Sequence, residues 1–381
     1  MDETKRLRLT ATAAFGLEAV VKREAASRGF TGIKVSDGRV DFESDLRGIA
    51  RANLWFRSAD RVLLLAGEFK ALTFDELFEG TKAIGWEEWI TEDGKFTVTG
   101  KSVRSQLHSV PDCQSIVKKA VVEKLKQKYN RSWFDETGPE YKIQVSLLRD
   151  VAALTIDTTG PGLHRRGYRK RSVIAPIKET LAAGLVSLTY WNRDRILLDP
   201  MCGSGTIPIE AALVAKNIAP GLSRGFVSEG WPQMPEAIWK EERERAASLI
   251  NRECEPSIYG SDIDADSVAI AKRNAGLAGV EGCVVFEAKA LEDARLPGGY
   301  GIAICNPPYA ERIGSVSEAE VLYGQMRKVF GSDRTWSLNV ITPDEFFESA
   351  YGRKADSKRK LFNGMIKTDY YMYDGAKPPK A

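Results

Sequence analysis

The chain is predicted to be an α/β protein, with a doubly wound, mostly parallel sheet over its C-terminal half and two smaller α+β modules before it. Three observations predict this. From Arg195 onward, short apolar runs alternate with helix-length segments, as strands joined by crossover helices do. Two of those runs end in an acidic residue followed by a turn, the pattern of strand ends at the ligand-binding edge of such a sheet. At 381 residues the chain also exceeds what one hydrophobic core ordinarily holds, so two or three domains are expected.

Arg6–Thr12 places Leu7, Leu9 and Ala11 at period two, a strand, and Leu17, Val20, Val21 and Ala25 follow at helical spacing. Short strands around Ile33–Val35 and Val40–Phe42 flank Asp37-Gly38, a hairpin signal. A helix Asp45–Phe56 and a strand Arg61–Glu68 complete the order βαββαβ. That order suggests a ferredoxin-like module over residues 1–70. A second αβ unit over 71–160 has a helix near Phe74–Ile84, a strand Phe96–Gly100, a helix Gln114–Tyr129 and paired strands near Ile143–Leu148 and Ala152–Asp157. On the Gln114–Tyr129 helix, Ile116, Val117, Ala120, Val121 and Leu125 form the apolar stripe, which leaves the lysines on the open face. The turn-rich Thr158-Thr159-Gly160-Pro161-Gly162 marks a boundary, and 161–381 forms the last domain with its basic connector. A helix from about Pro176 to Thr189 opens it. Strands Ile196–Asp199, Ile258–Asp262, Val284–Glu287, Ile302–Asn306 and Ser337–Ile341 follow.

Composition narrows the function. Hydrophobic residues make up 43% and charged residues 28%, the shares of an ordinary globular protein. No segment approaches a membrane span, and Met1–Arg6 leads into a strand without the apolar core of a signal peptide, so a cytoplasmic protein is expected. Cys113, Cys202, Cys254, Cys283 and Cys305 form no CxxC pair, which argues against a disulfide framework. His108 and His164 are the only histidines, so no His-rich metal site can form and no metal is expected. A net charge of +3 says little by itself, but its distribution is uneven. Residues 101–131 carry eight Lys or Arg against Asp112 and Glu123, and 164–178 carry six and no acid. Clustering of this kind is the electrostatic footprint of a polyanion.

The strongest local signal is Ile196-Leu197-Leu198-Asp199-Pro200-Met201-Cys202-Gly203-Ser204-Gly205-Thr206, followed by an apolar helix Ile207–Ala215. A strand ending in an acid, then a glycine loop, then a helix makes a nucleotide-type pocket at the carboxyl edge of the sheet. Gly203 and Gly205 let backbone approach a ligand closely, and helix N–H groups near Thr206 can receive an anionic group such as a carboxylate. An isolated GxG more often makes only a tight turn; the flanking acid and a second strand end, Tyr259-Gly260-Ser261-Asp262-Ile263-Asp264, point to a ligand. Asp262 is the candidate for accepting both ribose hydroxyls of a nucleoside, whereas Asp264 reads as a helix N-cap.

The fourth strand delivers Asn306-Pro307-Pro308-Tyr309 to the same edge. The prolines fix the backbone and remove N–H donors, so the Asn306 side-chain oxygen and neighbouring carbonyls act as acceptors. Two acceptors aimed at an –NH₂ group orient its nitrogen lone pair toward an incoming methyl group. Tyr309 offers a face on which an extruded base can stack. This loop does not choose among guanine N2, adenine N6, cytosine N4 and a glutamine side chain, all of which present a planar –NH₂. No phosphate loop of the GxxxxGK[ST] type and no GxSxG nucleophile elbow occurs, and Cys202 and Cys305 read as small packing residues.

The segments DPMCGSGTIPIEAALVAKNIAPGLSRGF, GSDID, NPPYAERIG, LHRRGYRKRSVIAPIKETLAAGL and KRKLFNGMIKTDYYMY together resemble the THUMP-domain RNA guanine-N2 methyltransferases. Their YpsC-like subgroup, related to the N-terminal half of the ribosomal RNA methyltransferase RlmL, is the nearest. The resemblance spans nearly the whole chain. It implies a ferredoxin-like module over 1–70, a THUMP RNA-binding domain over 71–160, and over 161–381 a Rossmann-like class I methyltransferase domain with an antiparallel last strand. It also implies S-adenosyl-L-methionine as cofactor and N2-methylation of a guanine in RNA, 23S ribosomal RNA before transfer RNA. The alternative from another class is an RNA-binding ribosome-assembly factor with a vestigial methyltransferase domain. A DNA adenine methyltransferase is a third option.

By the resemblance, Asp199, Gly203, Gly205 and Thr206 line the methionine end of the cofactor, with Met201 and Ser204 in the same loop. Asp262 takes the ribose with Ile263 beside it, and Asn306, Pro307, Pro308 and Tyr309 form the catalytic loop, Asn306 touching the cofactor too. Glu287-Ala288-Lys289-Ala290 lacks an acid where many relatives contact adenine, so Ala290 is expected to offer only its N–H. Ala175-Pro176-Ile177-Lys178 resembles a helix entry that covers the cofactor. Lys118 and Lys119 on the THUMP helix, and Arg165, Arg166, Arg169, Lys170 and Arg171 in the connector, are the expected phosphate contacts, with solvated surface the alternative for each.

Overall fold

The computed structural model describes residues 5–169, 177–253, 255–308 and 316–379. They divide into two compact units. One comprises Met1–Thr12, Lys22–Leu163 and Gly225–Arg245, the other Ala13–Val21, His164–Arg224 and Ala246–Ala381.

The chain begins β1 (Leu7–Ala13), α1 (Glu18–Ser27), β2 (Thr31–Ser36), β3 (Arg39–Ser44), α2 (Leu46–Trp55) and β4 (Ala59–Lys70), the expected βαββαβ order. Asp37-Gly38 closes the β2–β3 hairpin, pairing Ser36 with Arg39. Asp45 caps α2 by accepting the Gly48 N–H at 2.9 Å, which satisfies a donor that the first helical turn leaves open. Next come α3 (Phe74–Lys82), β5 (Lys95–Val103), α4 (Val110–Tyr129), β6 (Glu140–Leu148) and β7 (Val151–Asp157). All seven strands join one sheet in the order β2-β3-β1-β4-β7-β6-β5. The antiparallel β4–β7 pair is the seam, so the two modules expected from sequence share a single sheet. On α4, Val117, Ala120, Val121 and Leu125 are buried while Lys118 and Lys119 are exposed.

The second unit is built from α5 (Glu179–Leu188), β8 (Ile196–Asp199), α6 (Thr206–Ala215), part of α7 (Glu236–Ser248), β9 (Ile258–Asp262), α8 (Ala265–Ala278), β10 (Val284–Ala288), β11 (Gly301–Cys305), α9 (Val316–Phe330), β12 (Trp336–Thr342), α10 (Phe347–Tyr351), β13 (Ser357–Asn363) and β14 (Ile366–Tyr373). Its sheet runs β10-β9-β8-β11-β12-β14-β13. The first five strands are parallel, and β14 lies antiparallel to β12 and β13. Alternate residues of one strand feed opposite cores: Leu197, Ile302 and Ile304 pack with α5, α6 and α8, whereas Leu198, Ala303 and Cys305 pack with α9 and α10. Strands buried on both faces are what a doubly wound sheet requires. Strand order reverses between β8 and β11, which opens a crevice at their carboxyl ends.

Between α6 and β9 the chain leaves this unit. Trp231 is buried in the first unit, stacked on Tyr141 at 5.1 Å, and its indole N–H donates to the Glu140 carbonyl at 3.0 Å. Glu242 accepts from Arg51 at 2.9 Å there. Among the described residues no helix is long and apolar enough to cross a membrane.

Candidate active site

A cavity of about 680 Å³ opens at the carboxyl ends of β8, β9 and β11. Asp199 ends β8, Asp262 ends β9 and Asn306 follows β11, so parallel strand order alone brings three distant sequence segments to one edge. Asp199, Met201, Gly203, Ser204, Thr206, Asp262, Ile263, Ala290, Asn306 and Pro308 all line the cavity, as the sequence reading places them together.

The walls are tied to each other. The Asp262 carboxylate accepts the Gly203 N–H at 2.8 Å with one oxygen and the Asp264 N–H at 3.0 Å with the other. Cys202 donates its N–H to the Ser261 carbonyl at 2.8 Å, and the buried Asn274 amide donates to the Ser204 carbonyl at 3.0 Å. Asp264 caps α8, accepting from the Asp266 and Ser267 N–H groups, the role its position suggests. α6 begins at Thr206, and its first-turn N–H groups, which have no intrahelical partner, face the cavity end of the helix.

Gly205 and Pro307 do not line the cavity. Gly205 has φ 81°, and a Cβ there would lie 2.9 Å from both Ala271 Cβ and Phe286 Cζ. Glycine is therefore demanded there by backbone hand and by packing against α8 and β10. Pro307 is buried. Tyr309 lies outside the described residues.

Sequence reading missed other walls. Glu292 and Gln325 line the cavity, and the Gln325 amide donates to Glu292 at 3.0 Å. Glu292 stands two positions after Ala290, in a 3-10 turn over Leu291–Asp293. Ser267 and Ile207 come from helix starts, Leu322 from α9, and Ile177 from the segment expected to cover the site. Lys178 is the N-cap residue of α5, and Ala175 and Pro176 lie outside the described residues.

The cavity is acidic. Asp199, Asp262, Asp264 and Glu292 line it, and among the described residues no Lys or Arg does. Burial pushes the Asp199 carboxyl well above its usual range; the Met201 N–H at 3.2 Å opposes this and the Asp262 charge adds to it. Burial likewise pushes the Cys202 and Cys305 thiols well up, so neither is poised as a thiolate nucleophile.

Residues 166–372 match the family model described as the RMKL-like methyltransferase domain. The chain belongs to this methyltransferase family. Residues 71–157 match the THUMP domain and 8–63 the RlmL ferredoxin-like domain. This RMKL-like methyltransferase is 52% identical over 371 residues to YpsC of Bacillus subtilis (strain 168), described as a candidate RNA methyltransferase, covering 97% of this chain and 96% of that one. A Listeria monocytogenes protein described as a predicted N6-adenine-specific DNA methylase superposes with a TM-score of 0.93 at 51% identity, over 98% of this chain and 97% of that one. The methyltransferase candidate SMU.472, solved in complex with SAH, superposes with a TM-score of 0.92 at 44% identity, over 98% and 99%.

Two of the connector arginines are not where an RNA contact needs them. Arg166 is 3% exposed and pairs at 3.5 Å with Glu210, which is fully buried on α6 and also accepts the Tyr168 hydroxyl at 3.0 Å. Arg169 donates from Nε to Glu179 at 3.0 Å and from Nη1 to the Ile177 carbonyl at 3.0 Å. Buried carboxylates hold these guanidiniums because an unpaired buried charge is costly. Arg165 is exposed, as Lys118 and Lys119 are in their own unit. Lys170 and Arg171 lie outside the described residues.

Proposed function

We propose that this protein transfers a methyl group from S-adenosyl-L-methionine to the exocyclic N2 of a guanine in RNA, with 23S ribosomal RNA as substrate. One observation carries the reaction type: a single cavity holds Asp199, the glycine loop, Asp262 and Asn306. The THUMP match and the RNA methyltransferase description of YpsC support RNA; the segment resemblance supports guanine and the ribosome.

The residues fit the cofactor by charge. Four lining carboxylates, with no base among the described lining residues, suit a ligand bearing an ammonium and a sulfonium, and the start of α6 suits its carboxylate. Buried Asp199, with one backbone N–H bonded to it, is placed to take the ammonium. Asp262 keeps lone pairs for ribose hydroxyls after accepting its two backbone N–H groups. Glu292 and Gln325 offer polar groups to the adenine side. When bound, the cofactor supplies an activated methyl group on sulfur. Asn306 and the Pro308 backbone, which lacks an N–H, hold the target amine by its hydrogens, so that its lone pair points at the methyl carbon. The acidic cavity repels phosphate and admits a neutral base, which fits an extruded nucleotide.

The full chain, incubated with methyl-labelled S-adenosyl-L-methionine and RNA from a strain lacking the gene, should place label in N2-methylguanosine of 23S RNA. Digestion and mass spectrometry read the product. Label in transfer RNA would move the substrate but keep the reaction. Label on adenine, or on duplex DNA with residues 1–160 deleted, would overturn the base or the polymer. Failure to bind millimolar cofactor in calorimetry would favour the assembly-factor reading.

A further inference from the structure

The β13–β14 hairpin takes no part in the cavity. Ser357–Lys367 contains Lys358, Arg359, Lys360 and Lys367 and no acidic residue. Strand register fixes where it points. β14 pairs with β12 from Leu338 opposite Tyr373 to Thr342 opposite Asp369. Because β12 is parallel to β11, its Thr342 end lies at the edge that carries Asp199, Asp262 and Asn306. The hairpin tip, Asn363 to Ile366, therefore runs on past that edge by about 15 Å at the rise of an extended strand.

The tip and its neighbours are apolar and open. Met365 is 98% exposed, Phe346 75% and Phe15 53%. Lys367 pairs with Glu345 at 3.2 Å, which sets Phe346 beside the hairpin, and the Phe15 and Phe362 rings lie 6.0 Å apart. A single exposed apolar side chain needs no explanation; three on one rim, interleaved with exposed Lys360 and Lys367, form a patch.

We propose that this hairpin tip is an RNA-docking element, with Met365 and Phe346 packing on unpaired bases beside the target nucleotide and Lys360 on its phosphates. The proposal rests on the RNA reading above. Charge argues for this occupant: the four carboxylates among the described cavity lining repel the substrate's backbone, and the hairpin brings cations to the same edge. Extruding one base also leaves its neighbours unstacked, and apolar side chains among cations are the surface that unstacked bases take.

The test uses the full chain with Met365→Ser, Phe346→Ser and Lys360→Glu singly and combined. Initial rates of methyl transfer are measured against RNA concentration, with cofactor affinity by calorimetry and melting temperature as controls. The combined variant should raise the RNA KM by about tenfold or more while cofactor affinity stays within about twofold. Met365→Ser, at an exposed position, should melt as the wild type does. An unchanged RNA KM would overturn the proposal. So would a wild-type dimer in sedimentation that Met365→Ser dissociates, since the patch would then cover itself. A wild type inert toward RNA defeats the reading underneath, and shows it before any variant is made.

Discussion

The Asp262 carboxylate accepts the Gly203 N–H at 2.8 Å, so the end of β9 holds the glycine loop that leaves β8. One side chain thereby shapes the loop and faces the cavity. Asp262→Ala removes acceptors for two backbone donors as well as the proposed ribose contact. Cofactor affinity should fall by about tenfold to a hundredfold, the range for hydrogen bonds to a charged group. Calorimetry measures it; unchanged affinity would take Asp262 out of the site.

Asn306 should behave differently. It is assigned to the target amine, so Asn306→Ala should leave cofactor affinity within severalfold while lowering turnover by about two orders of magnitude or more. Single-turnover rates and calorimetry on the same preparation separate the two. Equal losses in both would make Asn306 a cofactor residue only.

Asp199 gives a pH signature. Burial raises its carboxyl well above the ordinary 3.8, so the folded protein without cofactor prefers it neutral. Its contribution to stability is full below 3.8 and is lost as pH rises through the raised folded value. Asp199→Asn is neutral throughout. Without cofactor, the variant should therefore melt progressively higher than wild type as pH rises from below 3.8 toward neutrality. It should also bind cofactor more weakly, having no charge for the ammonium. Melting curves across pH measure the first effect, and a difference independent of pH would contradict it.

The legible part of the site was what strand order delivers. Asp199, Asp262 and Asn306 each sit at a strand end followed by a recognisable turn, and a parallel sheet must gather such ends. Glu292 escaped because a 3-10 turn moves the acid past the strand end, and Gln325 because α9 reaches the cavity from elsewhere in the chain. Charge density alone does not distinguish Arg166 and Arg169, which pair with buried carboxylates, from exposed cations. Their partners lie 44 and 10 residues away, on helices whose polar residues look like surface until burial is known. The β4–β7 seam and the placement of Trp231 are long-range pairings without a local signature.

Two adjacent arginines of the connector give the sharpest contrast. Arg166→Ala leaves Glu210 fully buried with the Tyr168 hydroxyl on its carboxylate and the guanidinium charge gone. Removing one partner of a buried pair costs about 3–5 kcal/mol, which urea unfolding resolves. Arg165 is exposed, so Arg165→Ala should alter stability by less than about 0.5 kcal/mol. If it contacts a phosphate, its loss should weaken RNA binding and reduce the salt slope by about one. Filter binding across salt concentrations measures that slope. Should Arg166→Ala instead melt like wild type and lose RNA affinity, its guanidinium must leave Glu210 in solution, and the buried pair would not describe the working connector.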